Sequence, residues 1–234
     1  CWEAWITAAY LAGRTSKLKY LVALKPGFIH PVAQAKMIAT FDQLTQGRLY
    51  LNMIAGLSPQ DARAEGQLTD KEARYEQLLE EVSLMKRLWT EKGVEHSGKY
   101  YQVHGPVIVP ATVNPSGPKF FLGGGSEQAL DISAEHSDVH LFWGDYPERI
   151  AEQITAIRQR AAKYGRGEQI RFAMRLQIIC RETEADAWAA ADALIANASQ
   201  LGSGNDAEIF KKKTDSAAND RMVELSHTVG RKMT

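Results

Sequence analysis

The chain has 234 residues, of which 44% are hydrophobic and 24% are charged, as is ordinary for a soluble globular protein. Its 28 lysine and arginine residues balance 28 aspartate and glutamate residues, so no net field favours nucleic acid or an acidic membrane. Apolar runs are shorter than a membrane span, and no basic-then-apolar segment opens the sequence. Cys1 and Cys180 form neither a disulfide framework nor a metal-ligand spacing. We therefore expect a cytoplasmic protein with reduced thiols and no metal site.

Helix and strand patterns alternate from the first residues onward. Apolar residues at helical spacing predict a helix that ends at Gly13, and the apolar run 20–24 predicts a buried strand. Pro31 then begins a second helix, which Gly47 ends, and a second strand follows at 49–54. The predicted core face of that second helix consists of Ala35, Ile38, Phe41 and Leu44.

The rest of the chain repeats this pattern. Thr69 and Glu72 form a capping box that predicts the start of a long helix, and Ser97-Gly98-Lys99 predict a hairpin turn within 94–103. Repeated strand–helix units predict a parallel sheet, either doubly wound or closed into a barrel, with function at the carboxyl ends of the strands. Five strands suit an incomplete barrel better. Later strands are expected at 120–122, 139–143 and 172–180. The first is followed by a helix after the glycine run, the second by a helix that begins near Pro147, and the third by a helix over 184–198.

Three glycines and a serine, 123–126, join a strand to a helix. Glycine lets the backbone approach a ligand closely, and a helix N-terminus offers N–H donors and partial positive charge. The run therefore predicts an anion site, such as one for a cofactor phosphate. A purely conformational need for glycine explains the run equally well.

The end of the chain differs in composition from the rest and has weak helical periodicity. Residues 201–206 carry turn-forming residues, and three lysines follow at 211–213. We assign 199–234 to a mobile segment. A lid that orders over a ligand is the alternative.

Five strings carry a resemblance to a known family. They are LVALKPGFIHPVAQAKMIATFDQLTQGRLYLNMIAG, DKEARYE, FFLGGGSEQA, VHLFWGDYPE and IRFAMRLQIICRETEADAW. Together they closely resemble the bacterial-luciferase-like FMN-dependent monooxygenases, and within them the alkanesulfonate monooxygenases. FDQLTQGR is typical of the superfamily, whereas WGDYPE and MRLQIICRET are more specific to the alkanesulfonate branch. The resemblance covers nearly the whole chain.

The resemblance implies an α/β TIM barrel, of which this single domain, 1–234, would carry about strands three to seven and lack both ends. It further implies reduced FMN, supplied by a separate NAD(P)H-dependent FMN reductase, and dioxygen as co-substrate. The reaction would cleave the C–S bond of an alkanesulfonate and release sulfite and an aldehyde. A homo-oligomer, dimer or tetramer, is the habit of this family. A fragment of this kind is expected to be inactive by itself if the missing ends carry active-site residues.

Other functions remain open. One is a luciferase-like flavin enzyme for another small organic substrate, such as a sulfone, alkane or amine. Another is a flavin-independent phosphate-binding barrel, which the absence of lysine from the five predicted strands disfavours. A third is a non-catalytic binding protein, against which the glycine run and Tyr75 argue.

The resemblance also implies roles for matching residues. The glycine run matches the phosphate loop, and Tyr75 matches a residue near the flavin phosphate. Two residues at the end of the second strand would lie beside the flavin ring, where Ala55 replaces a residue that is commonly polar. The implied cofactor-binding residues are Asn52, Ala55, Tyr75, Gly124, Gly125 and Ser126.

Arg175 is the strongest catalytic candidate. An arginine within an apolar strand is costly unless it is paired, and an inward guanidinium suits bidentate recognition of a sulfonate. A salt bridge to Glu182 or Asp145 is the structural alternative. Gln177 stands where the alkanesulfonate branch has histidine, and glutamine cannot take a proton at neutral pH. This departure leaves the exact substrate open.

Four further side chains each allow a functional and a purely structural interpretation. Cys1 matches a family cysteine near the active site, or is a small buried residue. His30 contacts a ligand or caps a helix, and Trp143 walls the substrate pocket or packs in the core. His140 is favoured as a hydrogen-bonded core or barrel-interior histidine over a metal ligand.

Overall fold

The computed structural model describes residues 2–56, 58–176 and 178–201. Cys1, Gln177 and nearly all of the assigned mobile segment lie outside these residues. The strands are β1 Tyr20–Leu24, β2 Leu49–Met53, β3 Glu95–Ser97, β4 Gln102–His104, β5 Lys119–Gly123, β6 Val139–Trp143 and β7 Arg171–Arg175. The helices are α1 Ala4–Ala12, α2 Pro31–Thr45, α3 Pro59–Ala64, α4 Lys71–Thr90, α5 Glu127–His136, α6 Pro147–Ala162 and α7 Glu184–Leu201.

The predicted parallel sheet is confirmed. Its five strands lie in the order β1-β2-β5-β6-β7, and every neighbouring pair is parallel. Helices connect successive strands, as parallel pairing requires. The predicted hairpin is also confirmed, with β3 antiparallel to β4 and Ser97 opposite Gln102. The fold is the α/β architecture that alternating strands and helices favour.

The two faces of the sheet have different surroundings. Along β2, Leu49, Leu51 and Met53 are buried under helices, while Tyr50 and Asn52 between them are only half-buried. Residues in register on parallel neighbours share a face. The half-buried side, here called the inner face, is formed by Leu21, Ala23, Tyr50, Asn52, Phe121, Gly123, Leu141, Trp143, Ala173 and Arg175.

Two hydrophobic cores lie on the helix-covered side. The larger joins β1, β2 and β5 to α2, α4 and the hairpin, with Ile38, Leu51, Met85 and Phe120 among its buried members. The smaller joins β6 and β7 to α5 and α6, around residues such as Ile157. The run 123–126 joins an element of the first core to an element of the second.

Several local expectations are wrong. Asp70, not Thr69, caps α4, because its carboxylate accepts the Ala73 N–H at 2.8 Å. Leu44 is 79% exposed, and the core face of α2 continues instead through Asp42 and Thr45.

Strand boundaries also differ from the pattern. The last strand ends at Arg175 rather than at 180, because its only neighbour in the described sheet, β6, ends at Trp143, which is in register with Arg175. Strand β5 begins at Lys119, so one lysine does lie within a sheet strand, at its amino end, away from the carboxyl ends. Helix α3 was not predicted, although Ser58 before Pro59 is a helix-start signal and the Ser58 hydroxyl accepts the Asp61 N–H.

Candidate functional site

The glycine run forms a tight turn from β5 into α5. Ser126 caps the helix, its Oγ accepting the Ala129 N–H at 3.3 Å. Gly124 has φ +146°, and a Cβ built there would lie 2.8 Å from the Ala129 Cβ, too close to be accommodated. Glycine is therefore required at Gly124 by geometry, whatever the turn binds.

Tyr75 reaches this turn from α4. Its hydroxyl lies 3.4 Å from the Ser126 Oγ, although the two residues are 51 positions apart in the chain. A Cβ built on Gly124 would lie 3.7 Å from the same hydroxyl. Tyr75, Gly124 and Ser126 thus lie close together at the N-terminus of α5. Hydroxyl donors at a helix start are suited to an anion such as phosphate.

The end of β2 is held by a residue that the sequence reading did not single out. Arg74 is only 4% exposed, and its Nε donates to the Ala55 carbonyl at 2.8 Å while Nη1 donates to the Thr69 carbonyl at 2.7 Å. Ala55 is buried, and Asn52 lies on the inner face in register with Phe121. The available sequence signal for Arg74 is its place in the matched Arg-Tyr-Glu string, directly before Tyr75, but the string was used only to select Tyr75.

Arg175 is not buried, contrary to expectation. It lies exposed at the end of edge strand β7, where water solvates the guanidinium and no buried counter-charge is needed. Its guanidinium carbon lies 5.0 Å from the centre of the Trp143 ring, with which it is in register. The proposed partner Asp145 lies instead 3.8 Å from Arg149. Arg175 and half-buried Trp143 therefore form a cation–aromatic pair at the carboxyl edge of the inner face.

His30 caps α2. Its Nδ1 accepts the Val32 N–H at 3.4 Å, and its ring stands edge-on to Tyr101 at 5.9 Å between centroids. The structure thus shows the capping role, and a ligand contact stays a prediction.

His140 is a satisfied core histidine. It is 1% exposed, and its Nδ1 lies 2.9 Å from the Ser133 hydroxyl on α5. It faces the helices rather than the inner face, and burial lowers its pKa to about 4. Within the described residues, no group of three or more histidine, cysteine, aspartate or glutamate side chains is arranged to hold a metal ion. Nor does the described part contain a helix long and apolar enough to cross a membrane.

A cavity of about 180 Å³ lies beside the ends of β1 and β2. Apolar side chains such as Phe28 and Ile54 form part of its wall, together with Gln77 of α4. Lys25 at its edge is paired with Glu65 at 2.8 Å. The cavity includes Ala55 but not the glycine run.

Glu81 is a second buried charge-bearing residue that the sequence reading missed. Its Oε2 accepts the Tyr101 hydroxyl at 2.6 Å and the Gly27 N–H at 3.0 Å. Burial raises its pKa to about 7. In the sequence the Glu80-Glu81 pair resembles a solvated helix face, and only the packing of the hairpin on α4 shows which of the two is enclosed.

The parallel sheet, with the glycine turn and Tyr75 at its carboxyl edge, defines the class as a β/α protein, and this edge is the candidate anion site. The sequence model of the luciferase-like monooxygenases matches residues 1–232, so the chain belongs to that family. The expected luciferase-like barrel fold is thereby confirmed, with five of its parallel strands described.

Solved structures share the fold. A riboflavin lyase, crystallised with modified FMN and riboflavin, is 21% identical with a TM-score of 0.76, and the match covers 82% of this chain and 48% of that one. The EDTA monooxygenase of Chelativorans sp. BNC1 is 22% identical with a TM-score of 0.74, covering 82% and 50%. A long-chain alkane monooxygenase is 23% identical with a TM-score of 0.72, covering 80% and 49%. The chain therefore spans about half the length of these proteins.

Proposed function

We propose that this chain forms the flavin-phosphate and part of the substrate site of a two-component, FMN-dependent monooxygenase acting on an organosulfonate. The observation that carries the flavin part is that Tyr75 from α4 lies beside Gly124 and Ser126 of the turn before α5. Sulfite and an aldehyde are the proposed products. A separate NAD(P)H-dependent FMN reductase, a cytoplasmic location and a homo-oligomer are parts of the same proposal.

The residues present fit an FMN phosphate. Phosphate needs several donors and no nearby bulk, and the turn offers two hydroxyls, the first N–H groups of α5 and glycine where a side chain would intrude. Asn52, half-buried on the inner face, is available to hydrogen-bond the flavin ring. Arg74 holds the neighbouring Ala55 carbonyl and so fixes the wall that the ring would lie against. When bound, reduced FMN supplies the electrons that activate dioxygen.

Arg175 is the proposed sulfonate-binding group. A guanidinium presents paired N–H donors to two oxygens of one anion, and Trp143 beneath it restricts its orientation. Exposure means that Arg175 is open to a ligand. Trp143 would then form a wall for the alkyl part of the substrate.

The choice of a sulfonate rests on the family branch whose strings the sequence resembles. The related structures include proteins named for EDTA and for long-chain alkanes, so another small organic substrate is the second candidate. The two candidates differ in whether sulfite is formed.

The first experiment measures FMN binding. Reduced FMN is titrated anaerobically into the full-length protein, into Ser126→Ala and into Tyr75→Phe, with Tyr100→Phe as the matched control. Tyr100 lies on the outer hairpin, where its hydroxyl donates to Glu76 at 3.0 Å. We expect each site variant to weaken binding at least about tenfold, since one hydrogen bond to a charged group is lost, and the control to bind as the unaltered protein does. Equal binding by all four proteins would contradict the phosphate assignment.

The second experiment measures sulfite release from a panel of alkanesulfonates, with oxygen and a reductase-generated supply of reduced FMN. Sulfite that requires both flavin and oxygen supports the sulfonate assignment. Flavin binding without sulfite from any member would exclude it and move the substrate to the second candidate.

A further inference from the structure

Three parts of the molecule meet at one buried carboxyl group. Glu81 is fully buried on α4. The Tyr101 hydroxyl, which lies just before β4, donates to its Oε2 at 2.6 Å, and the Gly27 N–H, just after β1, donates to the same oxygen at 3.0 Å. Within the described residues, its Oε1 has no hydrogen-bond partner.

Gly27 lies in segment 25–30, which contributes residues to the cavity wall and contains His30, for which a ligand contact is predicted. Lys25, Pro26 and Phe28 line the cavity beside the strand ends. His30 lies three residues further on, and its ring packs edge-on against Tyr101. Two contacts of the segment, that of the Gly27 N–H with Glu81 and that of the His30 ring with Tyr101, therefore lead to the same pair of side chains.

The backbone at Gly27 packs closely against its neighbours. Its φ is +81°, and a Cβ there would lie 2.6 Å from the Gln67 Oε1 and 3.0 Å from the Gln77 Nε2. The backbone thus passes close to α4, and Glu81 supplies the acceptor for its N–H at that point.

We propose that Glu81 is a positioning residue that holds segment 25–30, with the cavity wall and His30, against α4. Its carboxylate does so best when ionised, because a charged acceptor makes shorter and stronger hydrogen bonds than a neutral one. The effect of this tie on turnover rests on the proposed function, whereas the tie itself does not.

The hold on the segment therefore depends on pH. Burial raises the pKa of Glu81 to about 7. The groups that face it are Tyr101 from the hairpin and the Gly27 N–H from the segment, with neutral Gln77 one turn earlier on α4. Among neighbouring charged groups, Lys25 is paired with Glu65, and Glu80 binds the His96 ring and accepts the Tyr101 backbone N–H at 2.9 Å. Ionisation of Glu81 near neutral pH is thus the change that tightens the segment.

The test follows two amide groups by NMR in the full chain. Pro26-Gly27 and Gly27-Phe28 are each the only pair of their kind in the sequence. Carbonyl-¹³C proline with ¹⁵N-glycine therefore selects the Gly27 amide, and carbonyl-¹³C glycine with ¹⁵N-phenylalanine selects the Phe28 amide. The measurement needs neither flavin nor substrate, so its failure is distinct from failure of the proposed function.

We expect the Gly27 amide proton to move to lower field as pH rises from about 5.5 to about 8.5, with a midpoint near 7. Phe28 should shift with the same midpoint. In Glu81→Gln, which keeps an acceptor but cannot ionise, neither amide should titrate with that midpoint. Glu80→Gln, the matched control one residue earlier, should leave the midpoint unchanged.

Three results would overturn the proposal. The first is a Gly27 amide that stays constant over this pH range. The second is the same titration in Glu81→Gln. The third is a Phe28 amide that does not follow Gly27, since the carboxyl group would then act on one bond and not on the segment.

Discussion

Two features restrict position 124 to glycine: the backbone conformation of Gly124 and the proximity of Ala129. The Gly124 φ of +146° is one that side chains rarely allow, and the Ala129 Cβ occupies the place where a methyl group would lie. Both limits arise in the turn that also brings Ser126 next to Tyr75. A change at Gly124 should therefore affect stability and anion binding together.

Gly124→Ala is expected to lower the free energy of unfolding by about 1–3 kcal/mol and to weaken FMN binding at least about tenfold. Gly66→Ala is the matched control, because Gly66 also has positive φ, +70°, but a Cβ there would meet nothing within 4 Å. The control should lose about 1 kcal/mol and keep its flavin affinity. Urea unfolding and flavin titration measure both quantities. Equal losses in the two variants would show that the contact with Ala129 does not matter.

Arg175 illustrates how exposure alters the meaning of a charged side chain. A buried arginine without a partner would be a large stability cost, whereas Arg175 is solvated and lies over Trp143. Its removal should thus be nearly neutral for the fold.

Arg175→Ala is expected to change the free energy of unfolding by no more than about 0.5 kcal/mol, and to reduce sulfite formation at least about tenfold. Arg171→Ala, on the same strand and face but at the amino end, should preserve both properties. A marked loss of stability in Arg175→Ala would indicate a structural role instead.

At the scale of single elements, helix α4 connects most parts of the site. Its first turns carry Arg74 and Tyr75, and its middle carries Glu81. The position of its N-terminus therefore sets where these three side chains point. Asp70 fixes that end by accepting the Ala73 N–H.

Asp70→Ala should destabilise the protein by about 1 kcal/mol, the usual value of a helix cap. Thr69→Ala tests the alternative cap that the capping-box pattern indicates, and it should cost much less. Thermal or urea unfolding of the two variants measures the difference. A larger loss in Thr69→Ala would restore the capping box as the start of α4.

Elements whose signals are local could be predicted from the sequence. The five sheet strands, the hairpin and helix α2 follow from apolar runs, a glycine turn and Pro31. Features that depend on packing against residues distant in the sequence could not be predicted. The end of β7 depends on where its partner β6 ends, and the exposure of Leu44 depends on which side of α2 meets the sheet.

At the scale of the whole molecule, the site is assembled from distant stretches of chain. Ser126 and Tyr75 were predicted individually, and the fold brings their hydroxyls to 3.4 Å. Arg74 and Glu81 were missed as functional residues, because a charged residue in a helix has no sequence mark that distinguishes a solvated position from an enclosed one. Their burial follows from the packing of α4 under the strand ends and the hairpin.

Acid should weaken the folded state through its buried histidines. Burial lowers the pKa of His140 to about 4, below the ordinary value of 6.5. The unfolded chain therefore binds more protons in this window, so stability is complete above pH 6.5 and falls as pH drops toward 4. Each such group contributes about 1.4 kcal/mol per pH unit within the window.

His140→Asn should reduce this acid slope by about one proton, as measured by urea unfolding at several pH values from about 4.5 to 7.5. His104→Asn is the control, because its side chain is 79% exposed. An unchanged slope in His140→Asn would mean that the pKa of His140 is the same in the folded and the unfolded chain.

The division into two hydrophobic cores has a consequence for motion on the scale of minutes to hours. The smaller core around Ile157 should open by local unfolding more often than the larger one, exposing the amides of β6, β7 and α6 to hydrogen exchange. The 123–126 turn joins these two units, and Tyr75 reaches it from the larger one. An anion held there would bind only while both units are folded. Mass action would then make such a ligand slow the exchange of the smaller unit, turning two partly independent halves into one cooperative body.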